Sequence, residues 1–449
     1  MIWREIRILL FISHQIDFHY RNNMNRLLQR LRGSNFSSLF IGNLIYTISQ
    51  WLIVVSISKL GNVSMVGEYS LALAITAPII LFLNFQLRNF QATDAKNEYS
   101  FKDYLTLRIG MLIIAFIILI SISILSNYSF HQAMIILTIG LAKIIESISD
   151  IYFGLFQKKE HMNFISYSMI TKGIGSVLVI SLVLYWSQNL LYATGSMVII
   201  WFLILVFVDI KNQSRFIEEK NKTQFSKSNI LNLKRLLQMT LPLGIVATLD
   251  SLINNIPRYF LERVSGPEYL GYYSGIAYIM IAGGTFMGAM LQASSPSMSR
   301  LFHSDIHLFS KKVKKLTLYS IMIGVFGILI SASMGKWILT LMYNREYGYF
   351  NNVFILIMIA SLFWYISSTL GAALTASRFI KFQVPIFLIS GILVLLFSFI
   401  LIPRYNMIGA AICIIIGMMT RMIISYFCLS FVLKRESYTK ASSVVLSEN

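Results

Sequence analysis

Charge is scarce in this sequence. Only 13% of its 449 residues are Asp, Glu, Lys or Arg, 56% are hydrophobic, and the mean hydropathy is +0.68. A water-soluble domain carries about 25% charged residues. So few charges do not cover a surface in water, which excludes an ordinary soluble enzyme. Intrinsic disorder needs low hydrophobicity and is excluded by the same composition. Cysteine is scarcer still, with Cys413 and Cys428 the only two. On one helix they stand about 22 Å apart, beyond disulfide reach, so neither a disulfide scaffold nor a cysteine metal site is expected. His303 and His307 have the i, i+4 spacing of a metal pair, but no third ligand accompanies them; no metal and no cofactor is expected.

What is abundant is apolar runs of membrane-spanning length, about 20 residues each. Twelve are legible: 37–58, 67–87, 104–126, 131–154, 164–186, 190–210, 239–261, 271–292, 316–335, 350–376, 383–402 and 407–432. They predict an all-α polytopic membrane protein. Its expected parts are a basic cytoplasmic N-terminal segment 1–36, a six-helix bundle 37–210, a basic cytoplasmic linker 211–238, a second six-helix bundle 239–432 and a cytoplasmic tail 433–449.

The net charge of +19 invites a nucleic-acid reading, but the distribution of the 38 Lys and Arg removes it. With the N-terminus inside, 28 fall in cytoplasmic segments, five in outside loops and five within spans. This positive-inside bias places both termini in the cytoplasm. Every outside loop is too short for a domain.

The chain also repeats itself. At an offset of 204 residues Gly67-Glu68-Tyr69-Ser70 aligns with Gly271-Tyr272-Tyr273-Ser274, and Lys59 with Arg263. An even number of spans separates the two copies, so both halves share one orientation. Two bundles related by a pseudo-two-fold axis along the membrane normal follow, a transporter architecture with its site between the halves.

Ionisable residues at membrane depth mark a pathway or a structural pair. In the fourth span Lys143, Glu146 and Asp150 share one helical face, either as an internal salt bridge or as a charged stripe on a cavity. The seventh carries Asp250, Asn254 and Arg258 at i, i+4 and i+8, beside Asn255 and Pro257. Pro257 removes a backbone donor and predicts a kink near residue 253. The repeat sets Val54 opposite Arg258 and Tyr46 opposite Asp250, so a need common to both halves does not explain either charge. Lys172 and Arg421 are lone bases near mid-membrane, either facing a cavity or paired with an acid on a neighbouring helix, for which Asp150, Glu146 and Asp250 are available. Arg108 lies a turn from the cytoplasmic end of the third span and is expected to snorkel. Five bases thus face four acids (Glu146, Asp150, Asp209 and Asp250), and the surplus suits an anionic cargo. Glu146, Asp150 and Asp250 are candidates for proton or sodium coupling, since no phosphate-cradling loop for ATP is present.

Two stretches carry a resemblance. The first runs from Gly67-Glu68-Tyr69-Ser70-Leu71 through Leu87-Arg88-Asn89-Phe90-Gln91 to Tyr104-Leu105-Thr106-Leu107-Arg108. The second runs from Pro242-Leu243-Gly244 through Asn255-Ile256-Pro257-Arg258-Tyr259-Phe260 to Gly271-Tyr272-Tyr273-Ser274. Over about residues 35–435 the chain resembles the bacterial polysaccharide flippases for O-antigen and capsule repeat units, relatives of the multidrug and toxin extrusion transporters. The resemblance implies a V of two bundles with a cavity open alternately to each side. It implies a lipid-linked oligosaccharide on undecaprenyl diphosphate, moved from the inner to the outer leaflet of the bacterial inner membrane. It also implies no enzymatic activity, a monomer among membrane lipids, and a polysaccharide polymerase and assembly proteins as partners. Arg258 best matches the cationic cavity of such flippases; Lys143, Lys172, Arg421, Asn254 and Asn255 are expected beside it. A cation-coupled drug antiporter, a membrane enzyme and an assembly scaffold stand as alternatives.

Overall fold

The computed structural model describes residues 35–94, 98–126, 128–213 and 230–447. The expected segment 1–36 lies almost wholly outside them, as do the middle of 211–238 and the last two residues. Every regular element among the described residues is helical. In chain order these are α1 (Asn35–Leu60), α2 (Val63–Asn84), α3 (Leu87–Thr93), α4 (Phe101–Leu125), α5 (Phe130–Lys158), α6 (Met162–Ser187), α7 (Leu190–Ile204), α8 (Ile230–Ser304), α9 (Ile306–Met342), α10 (Asn351–Ala376) and α11 (Gln383–Ser447).

Two of these are bent pairs. α8 breaks at Gly266, whose φ of 82° suits a residue without Cβ. α11 breaks at Asn406, φ 48°, and the Asn406 side chain accepts a hydrogen bond from Ser265 Oγ at 2.8 Å, tying the two breaks together. Nine helices among the described residues are long and apolar enough to cross a membrane, with the bent ones counted once. Dividing the two bent helices and adding the charged α5 gives the twelve spans that hydropathy outlines. Pro257 lies inside α8, where the backbone keeps helical angles; it leaves them at Gly266. α8 also begins at Ile230, inside the stretch expected as linker, and α11 continues through much of the expected tail.

Each half is built alike. In the first, α1 packs on α6, and α5 touches α2, α4 and α7; in the second, α8 packs on α11, and α10 touches α8, α9 and α11. Outward faces are apolar: Ile113, Ile117, Leu178, Phe326 and Phe399 are all exposed, as lipid contact requires and water does not tolerate over such an area.

The halves meet at the repeat itself. A Cβ on Gly67 would collide with the Pro267 carbonyl, and one on Gly271 with the Val63 carbonyl. Residues 63 and 267, and 67 and 271, are each related by the 204-residue offset. Residue i touches j′ and j touches i′, the signature of a two-fold contact. Glycine at both positions lets α2 and the second arm of α8 approach backbone to backbone. Further ties at this end of the seam are Trp51 Nε1–H to Tyr343 Oη, 2.9 Å, and Lys59 Nζ to the Leu341 carbonyl, 2.9 Å.

Candidate functional site

Five bases and four acids were expected within the spans, and the structure pairs them off. Lys143 Nζ lies 2.8 Å from Glu146 on the same helix. Lys172 Nζ lies 2.9 Å from Asp209, and Arg421 lies 2.7 Å from Asp250. Arg108 lies 3.2 Å from Asp150, which also takes Arg88 at 3.2 Å. Among the described residues Arg258 alone of the five makes no ion pair. The surplus charge counted in the sequence is therefore this guanidinium.

Arg258 stands about 12 Å along α8 from the Gly266 break, deep enough to require protein or water around it. Its Nη1 donates to Asn255 Oδ1 at 3.2 Å, and its Nε is buried without a partner. Asn255 is fixed in turn by donating to the Ser251 carbonyl, 2.9 Å. Asn254 donates to the Asp250 carbonyl, 2.9 Å, and is held by its own helix. Tyr278 is within electrostatic reach of Arg258 and of Lys143 in the other bundle. Tyr46 donates to Glu146, and Tyr69 lies within reach of Glu146 and Tyr278. Lys143 also sits over the Trp201 ring at 5.5 Å. The arrangement offers one unmatched guanidinium, one balanced lysine–glutamate pair and three phenols. A guanidinium and phenolic donors in a low-dielectric interior suit a phosphate or carboxylate.

The other expected residues lie elsewhere. Lys172 is 2% exposed and Asp209 fully buried, so the expectation that Lys172 lines a cavity is corrected: it faces into the first bundle, where Ser149 is a second acceptor. A π turn over Leu205–Ile210, continuing α7, brings Asp209 to it. Arg108 is corrected likewise, being fully buried on Asp150 and not snorkelling. Arg421 stacks on Phe387, 4.3 Å from the ring, at a separate pocket of about 210 Å³ within the second bundle, lined by Gln383, Thr375 and Ser425. His303 and His307 fall on either side of the break at Asp305 and do not share a helix. Asp94, directly after α3, accepts from the Glu98 amide and from Lys158, and although burial pushes its carboxyl up, those bonds hold it below the ordinary range.

Sequence reasoning missed the phenols. Tyr69 stands inside the repeat motif. Tyr46 is the repeat partner of Asp250, and a polar residue at that paired position was the signal available.

Comparison with known proteins agrees with this architecture. Residues 33–302 match the family described as Polysaccharide biosynthesis protein. A capsular polysaccharide biosynthesis protein, CapF, of Staphylococcus aureus is 31% identical over 395 residues, covering 88% of this chain and 98% of the relative. Among solved structures, an inward-facing multidrug resistance MATE family transporter of the MOP superfamily superposes with TM-score 0.69 at 12% identity, over 88% of this chain and 96% of that one. An outward-facing one gives 0.63 at 14%, over 92% and 98%. A MOP superfamily transporter from Pyrococcus furiosus, described as having a binding pocket of reverse polarity, gives 0.59 at 15%, over 91% and 98%. At these identities the likeness is one of fold: a multi-pass membrane protein of two bundles.

Proposed function

The chain belongs to the polysaccharide biosynthesis protein family, and on that premise we propose that it is a flippase for an undecaprenyl-diphosphate-linked oligosaccharide. It carries this cargo from the cytoplasmic to the outer leaflet of the bacterial inner membrane by alternating access, with both termini in the cytoplasm. It is a transporter and not an enzyme, works as a monomer among membrane lipids, and hands its cargo to a polysaccharide polymerase and assembly proteins. The name of the Staphylococcus aureus relative favours capsule over O-antigen. Inward- and outward-facing forms of the fold's neighbours support alternation.

One observation carries the cargo reading: among the described residues Arg258 is the intramembrane base without a carboxylate, at the seam between bundles. A drug antiporter for cations would be expected to leave an acid unmatched, whereas here a base is. Arg258→Ala is expected to abolish surface polysaccharide at near-normal membrane protein level. Arg258→Lys should restore it in part, because charge is kept and paired donors are lost. Full export by Arg258→Ala would remove the cargo role, and loss of folded protein would assign Arg258 to structure.

Energy coupling we place at Asp250. Asp150 is held by two arginines, and Glu146 by Lys143 and Tyr46. Asp250 has Arg421 as its one ion-pair partner among the described residues, and its side chain is 43% exposed. A proton or a sodium ion competing with Arg421 there would drive the cycle. Transport into proteoliposomes should stop when both gradients are collapsed; transport indifferent to them would end this proposal.

A further inference from the structure

In a helix the carbonyl of residue i accepts from the N–H of residue i+4. Pro78 lies inside α2 and has no N–H, so the Ala74 carbonyl loses its helical donor. Ala74 is fully buried. A buried carbonyl left unmet carries the whole desolvation penalty, and the donor that meets it comes from the opposite bundle: Tyr259 Oη, on α8, donates to the Ala74 oxygen across 185 positions of sequence. Tyr259 directly follows Arg258. It lies between the Gly67–Pro267 contact at the outer end of the seam and the Gly244–Phe82 contact at the cytoplasmic end of α2.

We infer that Tyr259 is a latch between the two bundles: its hydroxyl closes on the carbonyl that Pro78 frees, and this bond biases the outer end of the seam towards the closed state. The inference rests on the alternating-access reading above. The Ala74 carbonyl has no helical donor, so the proline makes the seam itself the source of its hydrogen bond. When the bundles part at the outer end, water enters and takes over both the phenol and the carbonyl. The bond therefore shifts an equilibrium without locking it, as a transport cycle requires. The phenol is one residue from the unpaired guanidinium, so the helical turn that holds cargo also carries the latch.

The test reads geometry and not export. In a background with Cys413→Ala and Cys428→Ala, spin labels on Ser64→Cys and Arg345→Cys report the separation of the outer ends of the two bundles in lipid nanodiscs. Tyr259→Phe should raise the ratio of wide to narrow separations about fivefold, the effect of one net hydrogen bond. An unchanged ratio overturns the latch. Should Tyr259→Phe fold poorly, Pro78→Ala/Tyr259→Phe gives the Ala74 carbonyl a helical donor while the inter-bundle tie stays absent. The wide population should rise there too, and a native ratio would overturn the latch again. Export unaffected by Arg258→Ala, with distances still responding to Tyr259, would remove the cargo reading and leave the latch standing.

Discussion

Lys172 shows how a charge at membrane depth becomes structure. Its ammonium and the Asp209 carboxylate are both out of reach of water, 2.9 Å apart, with Asp209 Oδ1 left without a partner. Their mutual attraction offsets the desolvation of each only while both are present. Lys172→Met leaves Asp209 uncompensated and should destabilise the protein by about 3–5 kcal/mol. Lys172→Met/Asp209→Leu should recover most of that and retain export. The midpoint of thermal unfolding in detergent measures both variants; a single variant as stable as the native protein would show that the pair holds nothing together. At this scale the sequence disclosed which charges lie in the membrane but only one of their pairings. Lys143 and Glu146 are three residues apart on one helix, so spacing alone brings them together. The bonds of Arg108 to Asp150, Lys172 to Asp209 and Arg421 to Asp250 join different spans, and no spacing rule reaches across spans. Arg258 has no charged counterpart in the repeat; that it also makes no ion pair among the described residues follows from the other four pairings, which only the packing of the spans determines.

Helices are the best-read level, because a membrane leaves the backbone little else. The twelve apolar segments reappear as spans, including α5, whose Lys143, Glu146 and Asp150 lower its hydropathy and whose two acids are met by Tyr46, Arg88 and Arg108. Their irregularities were less legible. Pro257 leaves the helical angles of α8 intact, and the reversal of the chain falls at Gly266, nine residues on. The missing N–H of Pro78 determines which carbonyl Tyr259 meets. A proline states that a carbonyl is freed; only the packing of a second helix states what receives it. The π turn that brings Asp209 to Lys172 is equally silent in sequence, because it changes the register of an apolar helix without a marker residue.

For the whole molecule, the 204-residue repeat and the lopsided distribution of Lys and Arg answer different questions. The repeat fixes how the halves relate: Gly67 against Pro267 and Gly271 against Val63 are one contact made twice, and such a pair closes only about a two-fold axis. It says nothing of which end faces the cytoplasm. Charge does, because Lys and Arg near span ends resist translocation. The first turns of α9 carry Lys311, Lys312, Lys314 and Lys315, whereas the Gly266 break is flanked by Arg263 alone. We therefore expect the Gly67–Gly271 seam outside and the lysine-rich turns inside. In the cysteine-free background, Arg263→Cys should react with a membrane-impermeant maleimide in intact spheroplasts, and Lys315→Cys only after permeabilisation. Both positions are exposed at helix surfaces, so access to the reagent is decided by the membrane and not by packing. Labelling of Lys315→Cys in sealed spheroplasts, with Arg263→Cys protected, would invert the molecule. The direction of cargo movement would then have to be reversed with it, since the seam that Tyr259 latches would face the cytoplasm.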